Sequence, residues 1–521
     1  MQADTYVRSP RGGLRVAAWA ALGAALLAAG CSRTEPQFAS RAEVHDLMPE
    51  ARQYVHEVLD QNFGTPTNSI AWERMPVHFH AATGTIATIA ADNRASITLV
   101  PPAIAGAEEP TPGAFEQYLP IRSEVRNDDG HLVQPGSEVL VISKTAPDGA
   151  ADQAIWVKSF DEATQAVVLS APLPEQAAAS DRVIIGPGAM LKHGRMLYAE
   201  HCQHCHGVSG DGNGPTAQYL SPLPRDYRKA IFKFTSTGTT FRAQRSDLAR
   251  IIEAGIPGTY MPSFKLLKPD ESKALVEYVM WLACRGETEL RRAQALESDY
   301  SMAAAKENPA AAQAGFAELF SQFATDFDDE TNDVAAKWNE ANQSASLVTP
   351  KANRTPSTPE SIARGREIFK SASAKCSTCH GEAAKGDGPQ TLFVQPDAKG
   401  KPRDLPGLFD DWNNPIRPRD LTSGIYRGGR RPVDIYRRIF AGIKGTPMTG
   451  FGATLSEEQL WDLVNYVLSV PFEHRTPGSG PFPSEGAAKP VASKDSGSGV
   501  EDSGVAPSSG TTGSVAQTES R

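Results

Sequence analysis

The sequence predicts a mainly α-helical protein, with two similar helical domains joined by a helical linker and preceded by a small β-rich N-terminal region. Three observations carry this reading. The pattern Cys-x-x-Cys-His occurs twice, as Cys202-Gln203-His204-Cys205-His206 and Cys376-Ser377-Thr378-Cys379-His380. The residues flanking the two copies recur in the same order, as an internal duplication requires. Between the copies, residues 287–350 are rich in Ala, Glu and Gln and poor in Gly and Pro, which favours helix.

Taken from the start, the chain carries Arg8, Arg11 and Arg15, an apolar run from Val16 to Ala29, and then Gly30-Cys31. The run is short for a membrane span and fits a secretory signal over residues 1–30. Leu27-Ala28-Ala29-Gly30-Cys31 resembles a bacterial lipoprotein signal, in which Cys31 is lipidated and becomes the mature N-terminus. An ordinary signal peptide or an uncleaved anchor are the competing readings. All three export the protein, to the bacterial periplasm or the outer face of the membrane. A net charge of -9 favours solubility and gives no sign of a nucleic-acid partner.

Residues 31–190 form the N-terminal region. An amphipathic stretch runs from Val44 to Leu59, and short alternating runs between Val77 and Ile185, such as Ser137–Ile142 and Ala166–Leu169, predict a small β unit. His45, His56, His78 and His80 fall here, more as surface or core residues than as ligands. The first helical unit spans 191–286 and the second 359–473. The linker, 287–358, is acidic: residues 287–340 hold twelve Asp or Glu against four Lys or Arg. Residues 361–445 of the second unit hold sixteen Lys or Arg against nine Asp or Glu, a solvated face or a surface suited to an acidic partner. The tail, 474–521, is Ser, Gly, Pro and Ala with few apolar residues, and is expected to be disordered.

Cys-x-x-Cys-His reads as covalent attachment of c-type haem. On a helix the two cysteines face the same way, each able to bond one haem vinyl, and the histidine beside them reaches the iron. Six Cys and eleven His predict only roughly 0.001–0.002 such motifs by chance in this length. Structural zinc would need a second ligand pair nearby, but no Cys or His follows His206 until Cys284. A thioredoxin-like dithiol lacks the adjoining histidine. With one Cys for lipid and four for haem, Cys284 is left as a small buried hydrophobe.

The repeat extends well beyond the motifs. Gly194-Arg195 matches Gly365-Arg366, and Pro224-Arg225-Asp226 matches Pro418-Arg419-Asp420. Asp247 to Met261 matches Asp434 to Met448 with identical spacing, and each unit closes with an apolar helix. From His380 to Pro418 the second unit is about twenty residues longer than the first from His206 to Pro224. Each unit resembles a class I c-type cytochrome domain: an N-terminal helix, a haem helix, a loop bringing methionine to the iron and a C-terminal helix. The resemblance covers about 210 residues and implies two covalently bound haem c groups.

It also implies the ligands. Cys202, Cys205, Cys376 and Cys379 hold the porphyrins, and His206 and His380 are the proximal iron ligands. Met/His ligation raises the potential of an electron-transfer haem, and Met261 and Met448 occupy matching loops for the sixth position. Met280 is the rival in the first unit, within the closing helix. Arg225 and Arg419 suit bidentate pairing with haem propionates, although a solvated or ion-paired arginine reads equally well.

The expected function is electron transfer by a dihaem cytochrome in a membrane-associated respiratory chain. The implied partners are a terminal oxidase or a quinol-oxidising complex, with the membrane reached through the lipid anchor. A dihaem cytochrome c peroxidase is the alternative, because it too carries two haems but needs an open iron. A third reading makes the β unit a recognition module and the haems redox sensors.

Overall fold

A computed structural model describes residues 35–71, 79–100, 119–142, 155–397 and 400–473, without the side chains of 317–330. The expected signal peptide with Cys31 and the expected disordered tail lie outside the described residues. Among the described residues no helix is long and apolar enough to cross a membrane.

Two helices open the described chain, α1 (Ala42–His45) and α2 (Pro49–Phe63). The β unit follows as a closed antiparallel barrel. Its strands are β1 (Ala82–Ile89), β2 (Ser96–Val100), β5 (Glu138–Ile142), β6 (Ile155–Asp161), β7 (Ala166–Leu169) and β8 (Arg182–Ile185). They run round the barrel in the order β1-β2-β7-β6-β5-β8. A small hairpin, β3 (Val125–Arg126) with β4 (Leu132–Gln134), stands apart. Alternation fills the interior: Val167 and Leu169 of β7 point inward while Val168 is exposed. At the β6–β7 turn the Asp161 carboxylate accepts from the amides of Ala163 and Thr164, the chemistry that favours Asp there. Closure leaves the six strands no free edge.

The first haem-motif unit contains α3 (Ala189–His201), α4 (Gln203–His206), α5 (Arg245–Ala254) and α6 (Pro269–Tyr300). Helices α3 and α6 cross at Gly194, where a Cβ would overlap the backbone carbonyl of Ala274. The rings of Tyr198 and Tyr278 pack beside the crossing, 5.2 Å apart. The N-terminal segment belongs to this same core. Trp281 of α6 is fully buried, donates to the Ile70 carbonyl at 3.1 Å, and packs on Phe63 and Phe38. Residues 35–71 are therefore part of this unit's packing, separate from the barrel that follows them.

Helix α6 runs through residue 286 without a break, and α7 (Met302–Glu307) and α8 (Pro309–Ala341) return the chain along it. Ser301 and Asn308 cap α7 and α8 by accepting from Ala304 and Ala311 amides. Trp338 and Val334 of α8 are fully buried. Two of the acidic residues of this stretch, Glu287 and Glu289, are buried and paired. Arg242 grips Glu287 with two hydrogen bonds, Arg291 bridges Glu287 and Asp333, and Glu289 accepts from the Arg41 amide.

The second unit repeats the plan with α9 (Pro359–Lys370), α10 (Cys376–His380), α11 (Pro432–Ala441) and α12 (Glu457–Glu473). Helices α9 and α12 cross at Gly365, against the Asp462 carbonyl, and Phe369 meets Tyr466 at 5.3 Å. The longer connection of this unit folds as a short hairpin, β9 (Leu408–Phe409) with β10 (Pro415–Ile416).

Candidate haem sites

Both motifs sit on short helices whose geometry is set by local hydrogen bonds. In the first, the amides of Cys205 and His206 donate back to the Cys202 carbonyl; in the second, Gly381 donates to Ser377. The Gly-rich turn then folds back identically in each. Gly212 donates to the His206 carbonyl and Gly214 to that of Cys205, as Gly386 does to His380 and Gly388 to Cys379. All four motif cysteines are free thiols. Burial pushes Cys202 up to about 12 and Cys376 up to about 11, so both are protonated at neutral pH.

Each motif histidine has one ring nitrogen already committed. His206 Nδ1 lies 3.2 Å from the Arg225 carbonyl, and His380 Nδ1 lies 3.2 Å from the Arg419 carbonyl. A carbonyl only accepts, so Nδ1 carries the proton and the Nε2 lone pair is left for a metal. Burial lowers His206 to about 4 and also lowers His380, which keeps both rings in the neutral, ligating form at pH 7. The matched Pro-Arg-Asp positions therefore act first through a backbone oxygen, a role the side-chain argument from sequence did not anticipate. Tyr227 stacks on His206 at 4.8 Å, where the second unit has Leu421.

The methionine loops are built alike. Ile256 donates to the Met261 carbonyl and Ile443 to that of Met448, at 3.1 and 3.0 Å. A threonine two residues before each methionine ties the loop together. Thr259 and Thr446 donate to the carbonyls of Ile256 and Ile443 and accept from the amides of Met261 and Met448. Phe264, just past Met261, sits 6.0 Å from the ring of His201, which precedes Cys202. Met261 and Met448 are half-buried, whereas Met280 is fully buried within α6 among other apolar side chains.

Among the described residues no cluster of three or more His, Cys, Asp or Glu could hold a metal ion, so neither motif has the second ligand pair that structural zinc needs there. The donor set fits haem c instead, with paired free thiols, a neutral histidine with Nε2 available and a tied methionine loop in each unit. His56 accepts or donates at 2.6 Å to Ser40 at the surface, and His78 lies outside the described residues. Cys284 is fully buried, with its thiol held well above the ordinary range.

The arginine side chains of the two Pro-Arg-Asp segments point at the other unit. Arg225 lies over the ring of Trp412, 3.8 Å from its centroid, and Arg419 packs against Gly258. Burial lowers Arg225 to about 10 against the pull of Asp410, so it remains a cation at neutral pH. Further bonds join the units: Arg250 to the Gly428 carbonyl, Arg438 to that of Thr235, and Thr239 to that of Ala441. Trp412, in the longer connection, has no counterpart in the first unit, so the repeat could not flag it.

Residues 191–283 and 362–471 match the cytochrome c family. No curated protein matches the chain. Among solved structures, a chain of the Kuenenia stuttgartiensis reducing HAO-like protein complex is similar at 24% identity, over 54% of this chain and 96% of that one, with a TM-score of 0.37. These two segments, which hold both Cys-x-x-Cys-His motifs, are similar to the cytochrome c family, whose cofactor is covalently bound haem c.

Proposed function

We propose that the protein is a dihaem electron carrier, exported and tethered by a lipid on Cys31, that serves a respiratory chain. The observation that carries this reading is the shared hydrogen-bond set of the two sites, proximal histidine and methionine loop alike. A haem bound in each unit would supply one-electron chemistry at its iron.

The chain's own residues have distinct tasks. Cys202, Cys205, Cys376 and Cys379 fix the porphyrins, and His206 and His380 present Nε2 to the metal. Met261 and Met448 would be the second protein ligands to each metal, which would leave no open position for substrate. Arg225 and Arg419 support the proximal histidines through their backbone carbonyls. The partners that suit such a carrier are a terminal oxidase or a quinol-oxidising complex.

Oxidised protein is expected to show two low-spin signals by electron paramagnetic resonance, and the reduced protein is expected to bind no carbon monoxide. The Met448→Ala variant should then bind carbon monoxide at one haem only. Carbon monoxide bound by the unaltered protein would instead favour the dihaem peroxidase, whose iron must open.

The barrel bears on the third reading. Excising the barrel while keeping residues 35–71 should leave both reduction potentials unchanged in a plain carrier. A shift in either potential would tie the barrel to redox sensing.

A further inference from the structure

The methionine loops hold the same glycine, three residues before the methionine: Gly258 before Met261 and Gly445 before Met448. Both glycines have positive φ, +74° and +70°, and at both the other unit comes into contact. At Gly258 the visitor is the second unit. The Arg419 guanidinium packs on this glycine, and Arg427 donates to its carbonyl at 3.2 Å. At Gly445 the visitor is the first unit. Ile231 and the Trp412 ring both crowd the position a Cβ would take on this glycine, and Arg225 stacks on that ring.

Neighbouring bonds reinforce the second contact. The Asp411 amide donates to the Gly445 carbonyl at 3.2 Å, and Lys229 of the first unit donates to the Asp411 carbonyl at 3.0 Å. Among the described residues the buried Trp412 Nε1–H has no hydrogen-bond partner, so shape and the stacked cation hold this ring in place. The arrangement is reciprocal. Each unit supports its own proximal histidine with the carbonyl of an arginine whose side chain reaches the other unit, Arg419 at the methionine loop itself and Arg225 at the Trp412 ring that packs on that loop.

From this reciprocity we infer that Arg225 and Arg419 are positioning residues that brace the sixth ligand of the opposite haem. The inference rests on the reading of Met261 and Met448 as iron ligands. A loop held from outside its own domain keeps its thioether on the iron only while the domains stay docked. Loosening the brace frees the loop, and an external ligand then competes more easily for that iron.

The experiment uses the full haem-loaded chain and imidazole as the competing ligand. Met261→His or Met448→His silences one unit, so the methionine-to-iron charge-transfer band reports the other. With the second unit reporting, Arg225→Gln is expected to raise its imidazole affinity about tenfold. With the first unit reporting, Arg419→Gln should do the same there. Trp412→Ala should reproduce the Arg225→Gln effect at the second unit, and neither change should move the first unit.

A response confined to the unit that carries the substituted arginine would overturn the brace and leave only propionate pairing. Unchanged affinities at both irons would overturn it as well. Absence of the charge-transfer band from the unsubstituted protein would instead overturn methionine ligation itself, and the brace with it. A fall in denaturation midpoint without the cross-unit change in affinity would mark the arginines as merely structural.

Discussion

Substituting Gly365 by alanine is expected to lower the stability of the second haem unit by about 3 kcal/mol. The added Cβ would overlap the backbone carbonyl oxygen of Asp462 in the middle of α12. That oxygen is fixed by the helix, so no side-chain rotation relieves the contact and the two helices must part. Parting them loosens everything gathered at the crossing. Ser361 and Arg364 of α9 hold the Asp462 carboxylate at 2.5 and 2.6 Å, Asn465 donates to Ser361, and Phe369 packs on Tyr466. The higher helix propensity of alanine returns only about 1 kcal/mol. Guanidinium titration followed at the haem absorbance measures the effect, and Gly194→Ala is the matched test in the first unit. A loss below about 1 kcal/mol would mean that the helices can separate without cost to the ring and carboxylate contacts.

Those two glycines show what the sequence makes legible. Each is followed by an arginine, Arg195 and Arg366, and each repeats in the other unit, so duplication exposes it. The motif helices, the turns behind them and the methionine loops were readable for the same reason, since short-range hydrogen bonds with fixed spacing define all three. The repeat also pointed to Arg225 and Arg419, although periodicity could not tell a carbonyl's role from a guanidinium's.

What the sequence hid depends on partners far along the chain. Nothing local says that Trp281 will donate to Ile70 or that Phe38 and Phe63 will share its core. Alternating runs announced strands but not their closure into a barrel, because β8 pairs with both β1 and β5 across long separations. Charge counts, likewise, do not say where each side chain points. The basic stretch of the second unit reads as a surface for an acidic partner, yet several of its arginines face inward across the chain. Arg427 donates to Gly258, Arg437 to Val348 and Arg438 to Thr235. The acidic linker spends Glu287 and Glu289 on buried pairing.

Lys444 gives the seam between the units a pH dependence that can be measured. Its ammonium donates to Thr237 Oγ1 at 2.8 Å and to the Phe241 carbonyl at 2.5 Å. Burial, helped by the nearby cations Arg242 and Arg438 and opposed by Asp247, lowers its pKa from 10.5 to about 7. Between those two values the unfolded chain holds a proton that the folded chain has released. Stability therefore rises with pH through this window and is level below about 7, where both states are protonated. Lys444→Met removes the titration, and tyrosines or thiols that titrate in the same range cancel in the difference between variant and parent. Denaturant titrations at pH 7 and pH 9.5 should show the parent gaining about 2–3 kcal/mol relative to Lys444→Met. At pH 7 the methionine variant should be at least as stable as the parent, since a buried ammonium is exchanged for an apolar side chain of similar length. Parallel profiles would place the Lys444 ammonium in water rather than between the domains.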